Sequence, residues 1–309
     1  MQTALLTAIF DAMRPCLTAI FALFAFLASA PLHAQGPQML RIHWEPQKTY
    51  TLETLTETSF QKPGSTAPPQ VMNVTQTTTL AVSKDPASTD RLVRTTFSAV
   101  KGDIGAGKGT MKFDSTKPGE SNPKLGQAIG RAVGKSFVLV YDDQNRFRDA
   151  RDLGSMASSP GSVTGLSALA DSRDVVNLFR KSLEIGLPPL AVNVGDTWTA
   201  DEMMTFPQAG DTHVEMNGKF ESIEERDGRK HAKISFEGKL SSVMRKDKPV
   251  ANIEIGPGST MSGIIFFDLT RRLTSFSSYN NHLKMIVSGQ EVPFDQRITS
   301  KVISVEDSK

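Results

Sequence analysis

The sequence lacks the features by which several protein classes are recognised. It has 309 residues but one cysteine, which excludes an intrachain disulfide framework and a multi-cysteine zinc site. Its 35 Lys and Arg nearly balance its 33 Asp and Glu, and a net charge of +2 does not suit a nucleic-acid partner. Trp 2 and Tyr 3 are few beside Phe 17, so the aromatic content favours an apolar core or cavity over a carbohydrate- or base-stacking surface.

The first 34 residues are predicted to be a signal peptide. Residues 17–30 form an uncharged apolar run that is shorter than a typical transmembrane helix. We expect export and cleavage after Ala34, with an uncleaved anchor as the alternative. Translation starts at either Met1 or Met13, and Cys16 leaves with the leader in both cases.

Alternation of apolar and polar residues with period two dominates residues 35–309, which we predict to be a single β-rich domain. The alternation is clearest at 232–240, and Asp227-Gly228 before it predicts a tight turn in a long hairpin over 212–245. The predicted fold class is mainly β: a curved antiparallel sheet or half-barrel meander, with two helices packed on its concave side.

A flexible loop and a helix are predicted to join two halves, about 38–152 and 195–306. Each half contains an apolar strand that ends in aspartate, Asp142 or Asp268, and is followed after a short turn by arginine. This internal similarity is consistent with duplication into two pseudo-equivalent halves, and equally with the recurrence of one hairpin motif.

Two segments are predicted to be helices. Asn122 followed by Pro123 indicates the start of the first, and Gly186 indicates the end of the second, which covers about 172–185. One apolar face of each helix is a candidate lining for an apolar ligand. The lining residues are Leu125, Ile129 and Val133 in the first helix, and Val175, Phe179 and Leu183 in the second.

Two glycine patterns are given structural interpretations. Residues 102–108 have the spacing of a phosphate-binding loop, but the following residues alternate like a strand, so we expect a glycine-rich connection and no nucleotide site. Gly126, Gly130 and Gly134 recur every fourth residue and predict a backbone packed closely against a neighbouring element. A helix that slides over an apolar interior is the alternative.

The chain has no recognisable catalytic or metal-binding motif. No G-x-S-x-G elbow occurs, and His43, His213, His231 and His282 lack the spacing of metal ligands. His231 and His282 alternate with polar neighbours and are predicted to be exposed. We expect no catalytic residues, no metal, no cofactor and no enzyme activity, with a periplasmic hydrolase without a recognisable motif as the alternative.

The sequence Val-Gly-Asp-Thr-Trp, which ends at Trp198, follows a proline-containing helix exit. With the threonine-rich segment 75–79 and the strand ending in aspartate at 134–142, it resembles a family of exported bacterial envelope proteins of unknown function. The resemblance covers most of 39–306. It implies a fold similar to periplasmic lipoprotein carriers and supplies no catalytic residues. Gly195 and Asp196 are predicted to form a turn, and Trp198 to anchor the strand after it.

These observations favour a non-enzymatic exported envelope protein, periplasmic or extracellular, that binds an apolar ligand, a lipid or a lipoprotein. A monomer is favoured, and neither nucleic acid nor nucleotide is expected as a partner. A structural or protein-interaction module of the cell envelope is the principal alternative.

Overall fold

The computed structural model describes residues 36–61, 68–106, 109–154, 172–206, 210–243, 253–287 and 289–308. The chain divides into two units, Met1–Gln38 and Met39–Lys309. Only residues 36–38 of the first unit are described, so the fold presented here is that of the second unit. In the described part of the chain, neither α-helix has the length and apolar character of a transmembrane helix.

A single antiparallel sheet of 13 strands makes up most of the second unit, which confirms the predicted fold class. The strands are β1 (Lys48–Phe60), β2 (Gln70–Lys84), β3 (Arg91–Ala106), β4 (Gly109–Asp114), β5 (Ser136–Tyr141), β6 (Phe147–Arg151), β7 (Thr197–Phe206), β8 (Gly210–Arg226), β9 (Arg229–Ser242), β10 (Ile253–Ile255), β11 (Ser259–Asp268), β12 (Leu273–Val287) and β13 (Gln290–Asp307). Their order is β6-β5-β3-β2-β1-β13-β12-β11-β9-β8-β7, while β4 pairs with β3 and β10 with β12. The sheet is not closed, and β6 and β7 are its two ends.

The period-two pattern gives the sheet one apolar face, which we call the inner face. Alternate residues are buried along β2, β8 and β9, as expected for strands with one wet side. The inner face carries the large buried side chains Tyr50, Leu80, Phe97, Phe220, Ile234, Ile265 and Phe267. Asp227 and Gly228 both have positive φ (49° and 70°) between the paired Arg226 and Arg229, so the tight hairpin turn is confirmed.

Two α-helices lie within the described residues: α1 (Pro123–Ile129) and α2 (Ser172–Glu184). The Asn122 side chain accepts hydrogen bonds from the first turn of α1, which is the predicted N-cap. The extent predicted for this helix was wrong at its end, because a 3₁₀ turn (Gly130–Ala132) follows and Val133 lies beyond it. Gly134, with φ of +79°, lies in the turn that leads to β5.

The predicted close packing of the backbone is confirmed at Gly126 and Gly130, where the neighbour is one aromatic ring, but it was wrong for Gly134, where a Cβ would meet no atom within 4 Å. A Cβ at Gly126 or Gly130 would lie 2.7 Å from a ring carbon of Phe113 in β4. Residues 102–106 of the segment with phosphate-loop spacing form the end of β3 and pair with β4, and residues 107 and 108 lie outside the described residues. This arrangement is a β-hairpin without the helix that a phosphate-binding loop requires.

The two halves of the sheet have equivalent strand orders. The order β6-β5-β3-β2-β1 corresponds to β12-β11-β9-β8-β7, whereas the short strands β4 and β10 pair with non-equivalent partners, β3 and β12. The two similar hairpins whose strands end in Asp142 and Asp268 also share the hydrogen bonds of their turns. Asp142 Oδ1 accepts from Gln144 N, and Asp268 Oδ1 accepts from Thr270 N. A common topology with a common turn supports duplication over recurrence of a single hairpin.

Candidate binding site

Helix α2 packs its apolar side into the aromatic part of the inner face. Val176 is 1% exposed, and Val175, Phe179 and Leu183 pack against the main core. The Phe179 ring meets Phe97 and Phe137 edge-to-face, with centroid distances of 5.9 and 5.6 Å. All three residues of the second predicted lining group therefore share one buried interface.

Helix α2 also contacts both free ends of the sheet. At the β6 end, the Arg180 guanidinium lies 4.6 Å from the centroid of the Phe147 ring. At the β7 end, Lys181 Nζ donates to Met203 O at 2.8 Å and lies 2.7 Å from Glu202 Oε2. The inner face thus curves around α2, and the helix lies where further strands would be needed to close a barrel.

A small cavity lies beneath α2 among the residues that the structure describes. A cavity of about 30 Å³ lies between the helix and the sheet, next to Leu52, Leu183, Leu273, Ser277 and Val302. This volume is about that of one water molecule. A pocket for an organic ligand needs roughly 300 Å³ or more, so this cavity by itself does not hold an apolar chain while α2 keeps the position described.

The first predicted lining group lies in a different cluster. Leu125 is buried with Val74 and Val100, and Val133 packs at the margin of this cluster. The side chain of Ile129 is outside the described part of the structure. The structure therefore separates the two lining groups that the sequence analysis had treated together.

The inner face also carries a patch of polar side chains that sequence reasoning missed. We call it the inner polar patch; it consists of Thr54, Thr56, Thr58, Gln76, Thr78, Ser277, Asn281, Gln296 and Ser300. Strand pairing places these residues side by side on β2, β1, β13 and β12. Thr58 and Thr78 are each 2% exposed. The alternation along β1 could have revealed the patch. Thr54, Thr56 and Thr58 lie at alternate positions after the apolar Tyr50 and Leu52, so all five share one face of the strand.

Hydrogen bonds within the inner polar patch satisfy only part of its capacity. Thr54 Oγ1 lies 3.1 Å from Ser300 Oγ, and Gln76 Nε2 donates to Thr78 Oγ1 at 3.1 Å. Asn281 Nδ2 donates to the Gln296 amide oxygen at 3.2 Å, while the buried Asn281 Oδ1 has no partner in the described part of the chain. A buried acceptor without a donor costs free energy, so this atom is available to a ligand that brings one.

Burial disfavours charge in this region. Loss of solvent raises the pKa of Tyr279, which neighbours the patch on the inner face, to about 12. Burial also raises the pKa of Glu184 at the end of α2, although Arg180 partly opposes the shift. An uncharged group is therefore accommodated beside α2 more readily than an anion.

Residues 40–44, which we call the connecting segment, tie the two equivalent turns together. His43 N donates to Arg272 O at 2.8 Å, and Trp44 N donates to Asn145 Oδ1 at 2.8 Å. The Asn145 amide nitrogen can only donate, so it donates to His43 Nδ1, 2.8 Å away. Burial and the positive charges of Arg91 and Arg272 lower the pKa of His43, which keeps this nitrogen an acceptor.

The opposite side of the sheet, its outer face, forms an open trough of about 930 Å³ across β7, β8, β9, β11, β12 and β13. Its lining mixes apolar and polar side chains and carries both signs of charge, including Asn217, Lys219, Glu237, Asn280 and Arg297. Lys219 is paired with Glu221 at 2.7 Å. The trough is a second concave surface, with a chemistry unlike that of the inner face.

The Val-Gly-Asp-Thr-Trp segment has the geometry of a structural motif. Gly195 has φ of +94°, and Asp196 Oδ2 accepts from Asn193 N at 2.7 Å, so both form the predicted turn. Trp198 is buried, and its indole lies over Gly218 so closely that a Cβ there would be 2.5 Å from Nε1. These residues anchor β7 at the end of the sheet.

The histidines are dispersed, but the exposure predicted for His231 was wrong. Its side chain is 3% exposed and lies 3.8 Å from the buried Asp268 carboxylate, where β9 begins and β11 ends. His282 is exposed, as expected. Among the described residues, no three His, Cys, Asp or Glu side chains are grouped as a metal site would require.

The comparisons with known proteins assign no family. No family model matches the chain, and no curated protein sequence matches it. The membership predicted from Val-Gly-Asp-Thr-Trp therefore stays a prediction.

Three solved structures show distant likeness. A structure described as lipid–protein interactions in lipovitellin is 12% identical, with a TM-score of 0.46, over 86% of this chain. The chain spans 26% of that much longer chain. DynF from the dynemicin biosynthesis pathway of Micromonospora chersina is 8% identical (TM-score 0.20), over 89% of this chain and 92% of its own. A DUF1329 family protein from Desulfovibrio piger is 9% identical (TM-score 0.16), over 84% and 86%. Likeness at this level assigns the chain to no family and carries no information on its function.

Proposed function

We propose that the chain is an exported, non-enzymatic protein of the cell envelope that binds the apolar chain of a lipid or lipoprotein between α2 and the inner face. The position of α2 carries this proposal. The helix covers the aromatic wall formed by Phe97 and Phe137, and it lies between the two unpaired ends of the sheet. It is therefore the element whose displacement opens an apolar surface.

The polar attachments of α2 are weak enough to be exchanged. Glu202 is 44% exposed in its pair with Lys181, so solvent limits that ion pair to about 1 kcal/mol or less. The Arg180–Phe147 contact contributes a similar amount. Most of the free energy that holds α2 is apolar burial, and an acyl chain that replaced Phe179 and Leu183 against the sheet would restore it.

A reversible cross-link across the α2–β7 contact tests this mechanism. In a Cys16→Ser background, Lys181→Cys and Glu202→Cys replace the ion pair with two thiols, which a short bis-methanethiosulfonate linker joins. We expect the linked protein to lose binding of the neutral dye N-phenyl-naphthylamine and to regain it when the linker is reduced. The matched control places the linker at Thr79→Cys and Ser98→Cys, whose hydroxyls lie 2.6 Å apart on the outer face.

Equal dye binding with the α2–β7 linker intact or reduced would contradict the role of α2. Loss of binding in the outer-face control would show that the linker acts on the fold as a whole. Native mass spectrometry of the unmodified protein supplies the independent readout, since a copurifying lipid is expected.

Export is part of the proposal and has its own test. Mass spectrometry of the protein recovered from the periplasm should give an N-terminal peptide that begins at Gln35, after the proposed cleavage at Ala34. Recovery of the intact leader in the membrane fraction would favour an uncleaved anchor instead.

The outer trough favours a second candidate function, an interaction module of the envelope. Its charged lining residues lie on an open surface that is separate from α2. Photo-cross-linking from Asn217 in cells should capture a partner, and Arg297→Glu should reduce that capture without changing dye binding. Capture that is unaffected by Arg297→Glu would argue against this candidate.

A further inference from the structure

We infer that the inner polar patch binds an uncharged polar group that both donates and accepts hydrogen bonds, so the preferred ligand is an acyl amide or a hydroxyl-bearing acyl ester such as a monoacylglycerol. The inference rests on the proposed function and names the class of ligand. Acyl chains attached to a protein through an amide belong to this class.

The composition of the patch carries the first step. All nine residues are Thr, Ser, Gln or Asn, and none is charged. A carboxylate or phosphate placed there would lose its hydration without gaining a cation from the patch, which is unfavourable in a buried site. The pKa of the neighbouring Tyr279, raised by burial, is consistent with this penalty.

Hydrogen-bond accounting carries the second step. The buried Asn281 Oδ1 has no donor among the described residues, whereas Asn281 Nδ2 already donates to Gln296. Gln296 Nε2 lies 3.5 Å from Thr58 Oγ1, which is a long contact. A ligand that satisfies these groups must supply a donor for Asn281 Oδ1. It must also supply a carbonyl or hydroxyl oxygen that accepts from the remaining amide hydrogens of Asn281 and Gln296.

The position of the patch carries the third step. Ser277 belongs both to the patch and to the small cavity beneath α2, which is also lined by Leu52 and Leu183. A chain that enters between α2 and the sheet can therefore lie along the apolar wall while its polar end reaches the patch. An amphiphile has this division of chemistry, and a plain hydrocarbon does not.

A series of ligands with the same chain tests the inference: palmitamide, monopalmitin, methyl palmitate and palmitate, each measured by displacement of N-phenyl-naphthylamine. Palmitamide and monopalmitin should bind about tenfold more tightly than palmitate, since one unsatisfied buried polar group amounts to roughly this factor. Methyl palmitate accepts hydrogen bonds but does not donate them, so its affinity should lie between that of palmitamide and that of palmitate.

Asn281→Leu is the variant that tests the patch directly. It should remove most of the preference for palmitamide over methyl palmitate, measured as the ratio of their two dissociation constants. Asn280→Leu is the matched control, because Asn280 lies next in the same strand and lines the outer trough. Thr58→Val is a second, nearly isosteric change in the patch, and it should lower the preference in the same direction.

Palmitate binding as tightly as palmitamide, or Asn281→Leu leaving the preference intact, would overturn the inference while the proposed function stands. Failure of both the dye and the whole series to bind would overturn both. Hydrolysis of methyl palmitate by the protein, abolished in Asn281→Leu, would also overturn the inference by showing that the patch belongs to a catalytic site.

Discussion

Phe179→Ala is the substitution that most directly probes how α2 is held. The Phe179 ring contacts Phe97 and Phe137 edge-to-face. Alanine keeps the helical propensity of α2, so the change acts through packing rather than through the backbone.

The expected loss follows from the area and the ring contacts. Removing the ring takes away roughly 100 Å² of buried apolar surface. At about 25 cal/mol per Å², the lost burial free energy is about 2.5 kcal/mol. The two edge-to-face contacts add roughly 1 kcal/mol. The free energy of unfolding should therefore fall by about 3.5 kcal/mol, in the range of other large-to-small core substitutions.

Urea denaturation, followed by the fluorescence of Trp44 and Trp198, measures this loss. With a slope of about 3 kcal/mol per molar urea, the midpoint should fall by roughly 1 M. Dye binding should increase in the same variant, because the displaced state of α2 becomes more populated.

Leu190→Ala is the control, since Leu190 is 71% exposed. It should change the unfolding free energy by no more than about 0.5 kcal/mol. A loss below about 1 kcal/mol for Phe179→Ala, close to that of the control, would refute the packing of α2 described above. It would also refute the proposed role of α2 as a displaceable cover of the inner face.

Three further outcomes are expected. Gly218→Ala should cost about 2 kcal/mol in urea denaturation, because its Cβ would lie 2.5 Å from Trp198 Nε1 and the indole must shift. Gly130→Ala should cost about 1 kcal/mol in thermal or urea unfolding, because its Cβ would meet the Phe113 ring at 2.7 Å. Neutral His43 stabilises the fold above pH 6.5, so stability should fall as the pH drops from 6.5 towards its lowered folded pKa, and His43→Gln should flatten this part of the pH profile.

Each of these three expectations has a contradicting result. Gly119→Ala is the matched control for the glycines, since a Cβ there would meet no atom within 4 Å. Equal stability of Gly119→Ala, Gly130→Ala and Gly218→Ala would contradict the close contacts. An unchanged pH profile in His43→Gln would show that the connecting segment is not held by the neutral imidazole.

Local signals in the sequence predicted the elements of this protein well. Alternation at 232–240 identified one strand, Asp227-Gly228 identified its turn, and Gly186 identified the end of α2. Each of these features depends on a few consecutive residues and on backbone preferences that act within them. The end of α1 was less accessible: the chain passes into a 3₁₀ turn at Gly130, and there the backbone lies against the ring of Phe113 from β4, which is a contact between different elements.

The candidate site was only partly within reach of the sequence. The apolar stripe Val175, Phe179 and Leu183 is a helical pattern, so its burial was predictable. Parity along β1 could also have placed Thr54, Thr56 and Thr58 on the buried side. The sequence could not show that Asn281 and Gln76 belong to the same patch.

By itself, then, the sequence determined the period of each element, the chemistry of its turns and which side of each strand is apolar. Only the tertiary structure decided that α2 lies between β6 and β7, that the connecting segment joins the turns at Asn145 and Arg272, and that polar residues of four strands form one patch. The physical reason is the separation along the chain of the residues that interact. Turns and periodicity arise from neighbouring residues, whereas strand register and sheet curvature come from contacts between residues far apart in the chain.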